Sequence, residues 1–265
     1  MIRRTRNALA VLLHEALEDP GARLPIDLLH RCCQHFRATS AEEASLSELL
    51  DPAPEERQCA TELVLQAVLR LRASGSLLRI RSARGGGAEP AAAPAPGSSA
   101  GWLVALAPEA RAELGALEDR LQAYRMILTH TSERDREAAG GDALARAFFQ
   151  AAACFNAGLF FEAHEILEPH WLKLPQGALR QFLQGVIQIS VGFHHAQRGR
   201  YFGAVNQLGK GLEKTLARDE VVVGLHGRGF LAGVRAAREA LLARGPTGMA
   251  PLRPQDVPRM PFRFE

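Results

Sequence analysis

The chain has 265 residues, a formal net charge of +3 and 47% hydrophobic residues, which suggests two globular domains of about 100–200 residues each. Four cysteines without a CxxC pair argue against a disulfide framework and indicate a reducing compartment. The chain shows no signal-peptide pattern, and no apolar run reaches the roughly 18 residues that span a bilayer. We therefore expect a cytoplasmic protein without a membrane partner.

Residue spacing in the first half predicts four helices and then two strands. The helices lie at 4–17, at 25–37, from a Ser40–Glu43 capping box to a point before Asp51, and at 54–73. The strands lie at 78–81 and 102–106. A Gly-, Ala-, Pro- and Ser-rich insertion at 84–100 separates the strands, and we expect it to be disordered. Helices followed by a two-stranded hairpin indicate a winged-helix-like α+β domain over residues 1–107.

A winged-helix-like domain raises the possibility of DNA binding, which needs clustered Lys and Arg for phosphate contacts. Residues 1–100 contain 12 Lys+Arg and 12 Asp+Glu, so this part of the chain is neutral as a whole. Arginines do cluster near the predicted hairpin, at positions Arg70, Arg72, Arg79, Arg81 and Arg84. DNA binding through these arginines is one reading, and a role in packing or dimerisation is the other.

The second half predicts a helical bundle, so the fold class is mainly α. A polar helix at 108–137, with Pro108 in its first turn, lies in a connecting segment at 108–140. The bundle spans residues 143–245. Its helices lie at 143–157, 160–172, 178–198, 201–217 and 229–244. An irregular Pro-rich tail follows at 246–265.

A weak repeat with a period of 41 residues runs through this bundle. Its matching positions are Gly158 with Gly199, Phe161 with Phe202, and Ala163 with Ala204. Each set places a helix-stopping glycine before an aromatic residue and a small residue, which predicts two αα-hairpins packed together, plus the last helix. The polar residues do not repeat, so only the first hairpin carries a candidate site.

One face of the second bundle helix carries polar residues with metal chemistry. His164, Glu168 and Trp171 lie at i, i+4 and i+7, so their side chains share a face. An imidazole and a carboxylate one turn apart can hold the same divalent cation, and the carboxylate supplies charge. By its spacing, the side chain of Glu165 points away from this face. Glu162 could also approach His164 and Glu168, as a group that contacts the ligands rather than the metal.

The long helix that follows offers a third ligand. Gln184, Gln188 and His195 lie along one line of this helix, at i, i+4 and i+11. If that line faces the motif helix, His195 is a third ligand or a base, and both glutamines line the same pocket. Asn156, in the turn before the motif helix, is a further pocket candidate. In the alternative reading, the histidine and glutamate are only a hydrogen-bonded pair, and the glutamines are buried amides in a helix contact.

The residues around this motif resemble a known family. Residues 155–168 (FNAGLFFEAHEILE), the tryptophan at 171 and a second block around 182–204 are similar to the domain of unknown function 309 family. The resemblance covers about residues 143–217 and implies an all-α fold with a metal-binding His-x-x-x-Glu-x-x-Trp motif. The sequence departs from the family pattern at Pro169, where we expect the helix to kink or end, and at Arg200, where the family usually has asparagine.

Two hypotheses follow from these patterns. In the first, His164, Glu168 and His195 hold zinc, manganese or iron, or His164 and Glu168 bind a small polar ligand. A catalytic version of the metal site leaves a position for water and is hydrolytic. In the second, the chain is a non-enzymatic interaction or regulatory module that binds a protein partner, another copy of itself, or DNA. A zinc protease is set aside, because Glu168 stands where the His-Glu-x-x-His signature requires a second histidine.

Overall fold

The computed structural model describes residues 3–45, 49, 78–82, 102–131, 142–215, 221–222, 225–248 and 252–262. Most of these residues are helical, which confirms the mainly α fold class. The chain divides into two compact units, Met1–Thr129 and His130–Glu265. Some predictions lie outside the described residues: the helix at 54–73, residues 46–48 and 50 of the helix after Ser40, the insertion at 84–100 and the end of the connecting helix.

The first unit combines helices with a small sheet. Its helices are α1 (Arg3–Glu18), α2 (Leu24–Thr39), α3 (Pro108–Ala112) and α4 (Leu114–His130), with a 3-10 turn at Pro20–Arg23. Its strands are β1 (Ala44–Ser45), β2 (Leu78–Ser82) and β3 (Trp102–Leu106). They are antiparallel in the order β1-β3-β2, and Val104 pairs with Ala44 on one side and with Ile80 on the other. The predicted strand pair is confirmed, whereas the winged-helix interpretation stays a prediction.

Helical spacing explains the core of this unit. Leu13 of α1 and Ile26 of α2 are fully buried, as the apolar period predicts. Cys32 and Cys33 follow on α2, and both are buried free thiols. Burial raises the pKa of the Cys33 thiol to about 12, and it raises the pKa of Cys32 as well. The expectation that these adjacent cysteines form a buried helix face is confirmed.

Two helix boundaries in the first unit differ from the prediction. Ser40, predicted to begin a helix, has φ 55° and ends α2, and Ala44–Ser45 then pairs with β3. A residue in the left-handed region stops a helix because it turns the backbone away from the axis. The connecting helix begins at Pro108 as predicted, but it is interrupted at Glu113, whose amide donates to the carbonyl of Ala110 in a tightened last turn.

The second unit is a bundle of helical hairpins. Its helices are α5 (Ala143–Asn156), α6 (Phe160–Lys173), α7 (Ala178–Gln197), α8 (Tyr201–Thr215) and α9 (Gly227–Arg244). A short ribbon, β4 (Val221–Val222) with β5 (Leu225–His226), precedes α9, and 3-10 turns follow at Pro246–Gly248 and Pro254–Asp256. Gly158 and Gly199 have φ of 75° and 68°, so each ends a helix in the conformation that the repeat predicts.

Glycines bring α7 and α8 unusually close together. A Cβ atom on Gly185 would lie 2.8 Å from the carbonyl oxygen of Gly211, and one on Gly192 would lie 2.7 Å from the side chain of Leu208. These positions therefore accept only glycine without movement of a helix backbone. Because the glycines share one face of α7, the remaining residues of that face are also directed to α8.

An aromatic cluster and the tail complete the core of the second unit. The ring of Phe155 contacts those of Phe160, Phe193 and Phe230, with centroids 5.0, 5.4 and 5.5 Å apart. Residues 252–262 contain no α-helix or long strand, yet they pack on the bundle: Met260 is 1% exposed. No helix in the described parts of the chain combines the length and the apolar character that a membrane crossing requires.

Candidate metal centre

Helix α6 presents its polar residues opposite a buried apolar face. Ala163, Ile166 and Leu167 are buried, and they recur at the three- to four-residue period of a helix that packs on one side. His164 lies at the edge of this face, with its side chain 18% exposed. The side chains of Glu165 and Glu168 are 40% and 44% exposed. The group is thus anchored by a mostly buried imidazole and opens to solvent through two carboxylates.

Three ligand atoms converge around this imidazole. Nδ1 of His164 lies 3.1 Å from Oε1 of Glu165, and Nε2 lies 3.6 Å from Oε2 of Glu168. One ligand atom from each of the three residues lies within 4.8 Å of the other two, and no other such group occurs among the described residues. The expectation that Glu165 points away from His164 is therefore wrong, because its flexible side chain folds back over the ring.

The contact between His164 and Glu165 is close but is not a hydrogen bond. Nδ1 of His164 is buried and has no hydrogen-bond partner among the described residues, although the Glu165 oxygen is only 3.1 Å away. A buried ring nitrogen without a partner costs free energy, so it needs a proton acceptor in better alignment or a cation. The two carboxylates lie beside different nitrogens of the ring, so the contact with Glu165 leaves Nδ1 available to a proton or a cation.

The long helix places its predicted residues elsewhere. Oε1 of Gln188 accepts a hydrogen bond of 3.1 Å from Nζ of Lys214 on α8. The ring of His195 also lies against α8, where a Cβ atom on Gly203 would meet it at 2.8 Å. His195 does not belong to the group of three converging ligands. Its pKa is lowered, first by burial and then by the positive charges of Arg200 and Arg198.

A different histidine approaches the motif helix. The ring of Phe161 on α6 lies between His164 and His194, with centroid distances of 5.8 and 5.7 Å. His194 is one position before His195, so the side of α7 that faces α6 is offset by one residue from the predicted line. Sequence analysis missed this contact, because helical spacing gives the faces of α7 but not the neighbour of each face.

Trp171 is held by an arginine that the sequence analysis did not identify. The guanidinium of Arg180 lies 4.6 Å from the centre of the Trp171 ring. It also donates hydrogen bonds to the carbonyls of Trp171 and Leu174, at 2.7 and 2.6 Å. These bonds satisfy the free carbonyls at the end of α6. The helix continues through Pro169 to Lys173, close to the predicted end at 172, so of the two expectations at the proline, a kink or an end, the end does not occur.

The remaining predicted pocket residues have other surroundings. Asn156 exchanges two hydrogen bonds with the backbone of Met260, at 3.0 and 2.8 Å, and so binds the tail. Glu162 is 1% exposed and Gln184 is half-buried. Among the arginines proposed for nucleic acid, Arg79 and Arg81 lie on β2 opposite Ala105 and Leu103. Arg70 and Arg72 lie outside the described residues, as does Arg84.

The same spacing of residue types occurs on α1. His14, Glu15 and Glu18 repeat the spacing of His164, Glu165 and Glu168. All three are among the described residues, yet their ligand atoms do not form a converging group. The spacing of the residues along a helix is therefore not sufficient to bring their ligand atoms together.

The α6 group has the ligand types and spacing of a small divalent cation, but one carboxylate must move before all three ligands surround one point. Bonds of about 2.0–2.2 Å to nitrogen and oxygen place the ligands of a tetrahedral ion about 3.3 Å apart. The two measured contacts, 3.1 and 3.6 Å, bracket this value, but they involve different nitrogens of one ring. One carboxylate must therefore swing to the other edge of the imidazole, which two side chains open to solvent are free to do.

Comparison with known proteins identifies the region that contains this centre. Residues 148–207 match the family model described as Domain of unknown function (DUF309). This confirms the resemblance that the sequence shows. Searches of curated proteins and of solved structures give no significant match. The matched residues lie within the second unit, and the candidate metal centre lies among them.

Proposed function

We propose that the DUF309 domain binds one divalent metal ion through His164, Glu165 and Glu168. The observation that supports this most directly is that one ligand atom from each of these residues lies within 4.8 Å of the other two. In addition, Nδ1 of His164 is buried and has no hydrogen-bond partner among the described residues. Two carboxylates would balance the charge of a divalent cation, and the neutral imidazole would supply a nitrogen donor. The alternative is an imidazolium paired with two glutamates, which would need no metal.

The donor set favours zinc, manganese or iron(II). Imidazole and carboxylate suit these ions, whereas a thiolate-seeking ion such as copper(I) would find no sulfur in this group. Glu165 and Glu168 are each about half exposed, so the group is accessible from solvent. Metal exchange should accordingly be rapid, and the ion can be lost during purification.

A hydrolytic activity is the finer form of this proposal. Three protein ligands leave positions for water and for a substrate oxygen, and a bound divalent cation would lower the pKa of that water. His164 would orient the site from the mostly buried side. Trp171 shares the helix face, and its Nε1 is buried without a hydrogen-bond partner among the described residues, so it is a donor for a bound oxygen.

Calorimetric titration of metal-stripped, untagged, full-length protein with Zn²⁺ or Mn²⁺ tests the proposal. We expect one ion per chain and a loss of at least about 100-fold in affinity in the His164→Ala/Glu168→Ala variant, because removal of even a supporting partner costs about 10–100-fold. The matched control is His14→Ala/Glu18→Ala, which removes the same residue types at the same spacing from α1. Equal losses in both variants, or a wild type that binds no ion, would overturn the proposal.

A second candidate function concerns the first unit. The sheet order is β1-β3-β2, β1 follows two helices, and β2 and β3 form an antiparallel pair later in the chain. This arrangement is compatible with a winged-helix protein. On this basis we propose DNA as an alternative partner, with Arg79 and Arg81 on β2 as phosphate contacts. Binding to duplex DNA should then weaken steeply with salt and should be reduced in Arg79→Ala/Arg81→Ala. Affinity that does not depend on salt would exclude this candidate.

A further inference from the structure

The second unit contains a cavity that is distinct from the candidate metal centre. It has a volume of about 320 Å³ and lies between α9 and the tail residues 252–258. Neither His164 nor either of its two glutamates lines it. The volume is within the range of about 300–1,000 Å³ that is typical of small-molecule pockets.

The lining of this cavity is mainly apolar and smooth. Its principal wall residues are Ala236, Ala237, Ala240, Leu241, Val257 and Pro258. Phe193, which is completely buried, contributes from α7. Three alanines on one helix leave a shallow channel where larger side chains would fill the space. Such a surface gains free energy when it covers an apolar ligand body.

The tail forms the second wall through specific contacts. A Cβ atom on Gly233 of α9 would lie 2.5 Å from Cβ of Pro258, so the two backbones meet closely at this point. Two residues further on, Met260 is tied to Asn156 by the paired hydrogen bonds described above. The cavity is therefore a built feature of the fold, with both walls held in place before any ligand binds.

The cavity is lined by one positively charged side chain, Arg244, that is available to pair with a ligand. Asp256 is neutralised by Arg253, whose guanidinium makes two hydrogen bonds of 3.0 Å to its carboxylate. Arg244 also lines the cavity, and it has no hydrogen bond or ion pair with any described residue. The pKa of Asp256 is lowered, mainly by the hydrogen bond from Arg253, and the charge of Arg244 contributes least. Arg244 and Asp256 thus lie close enough to interact, but Asp256 is already paired.

We propose that this cavity binds a small amphipathic carboxylate, such as a medium-chain acid. The apolar chain would lie between α9 and the tail, and the carboxylate would pair with Arg244. Arginine matches a carboxylate with two parallel N–H donors, so the head group would set the orientation of the ligand. The proposal is independent of metal binding, because the two sites share no lining residue.

Titration of the full chain with three ten-carbon probes tests this proposal. The probes are decanoate, decan-1-ol and decylammonium, which share the chain and differ in the charge of the head group. We expect decanoate to saturate one site and to bind at least tenfold more tightly than either of the others. Arg244→Gln should remove this discrimination, whereas Arg244→Lys should retain part of it.

The control variant is Arg235→Gln, which removes an exposed arginine of the same helix that does not line the cavity. Ala240→Phe should block decanoate by filling the channel, and its circular dichroism and melting temperature show whether it is folded. If it is unfolded, the Arg244 series alone decides the outcome. Equal affinity for all three head groups, no saturation by decanoate, or equal losses in Arg235→Gln and Arg244→Gln would overturn the proposal.

Discussion

The pattern His-Glu-x-Leu-Glu occurs twice in this chain, at His14 on α1 and at His164 on α6, and the arrangement of its ligand atoms differs between the two helices. In both, the two middle residues are buried and the polar residues lie on the other side. Only on α6 do the three ligand atoms converge within 4.8 Å, among the described residues. Spacing along a helix places side chains on one face, but their orientations decide whether they share a ligand.

The position of each pattern within its helix offers a physical reason. Glu18 is the last residue of α1, and the amide of Asp19 already closes on the carbonyl of Glu15. Glu168, in contrast, is followed by a further turn that ends at Lys173. Side chains in the interior of a helix have directions set by the backbone, whereas those in the last turn are less constrained. In this chain, the pattern whose ligand atoms converge is therefore the one with a further turn of helix beyond its last glutamate.

The largest expected effect is a loss of stability in the second unit, with no loss in the first. Gly192→Leu should destabilise the second unit by about 3 kcal/mol, because its side chain would collide with Leu208, including the backbone nitrogen at 3.0 Å. Thermal unfolding followed by the fluorescence of Trp171, in a Trp102→Phe background so that no other tryptophan emits, measures this loss. Gly115→Ala on α4, where nothing lies within 4 Å, is the control and should be neutral or stabilising. Similar melting temperatures for the two variants would show that the α7–α8 contact is not tight.

The next effect concerns the turn of helix that follows the α6 motif. Arg180→Ala should cost about 2 kcal/mol, because it removes the stacking on Trp171 and leaves carbonyls at the end of α6 without donors. Chemical denaturation measures the loss, and the emission of Trp171 should shift. Arg235→Ala, at an exposed position of α9, is the control. An unchanged midpoint in Arg180→Ala would mean that this cap contributes nothing to the end of α6.

The third effect compares the middle glutamates of the two patterns. Glu165→Gln should weaken metal binding by about tenfold, or about 1.4 kcal/mol, because an amide oxygen lacks the charge of a carboxylate. Glu15→Gln should leave binding unchanged. Titration with Mn²⁺ measures both. If the two substitutions have the same effect, the contact between Glu165 and His164 has no role in binding.

The smallest effect is the pH dependence of each unit. The pKa of His30 in the first unit and that of His195 in the second are both lowered from the usual histidine value of 6.5, mainly by burial. Between the folded and unfolded pKa values the unfolded chain binds more protons, so stability rises with pH through this window. Stability should be greatest above about pH 6.5 and should fall below it. Denaturation at pH 5 and pH 8 should show a smaller difference in His195→Gln than in the wild type.

Sequence analysis predicted the helices of the second unit because neighbouring residues in the sequence determine where they begin and end. Helical period, turn glycines and the Gly158–Gly199 repeat each depend on a few neighbouring residues, and the five bundle helices follow the predicted bounds within two residues where the chain is described. Ser40 was misjudged because its prediction used only neighbouring residues, whereas the strand pairing of Ala44–Ser45 with β3 overrides the capping box.

The candidate site was predicted only in part because its geometry depends on packing. His164 and Glu168 follow from spacing, whereas Glu165 joins them through a side-chain orientation that spacing does not specify. The face of α7 with Gln188 and His195 also carries Gly185 and Gly192, which bring it against α8. A glycine line at helical spacing could have indicated a close helix partner there, but not which helix it is.

Anomalous diffraction from crystals soaked in Mn²⁺ would test the central claim most directly, because it locates the ion at specific side chains. The account predicts one peak per chain, within about 2.0–2.3 Å of a nitrogen of His164 and of an oxygen of Glu168. It predicts no peak at His14 on α1. A chain without a peak at His164, or with equal peaks at both histidines, would contradict it.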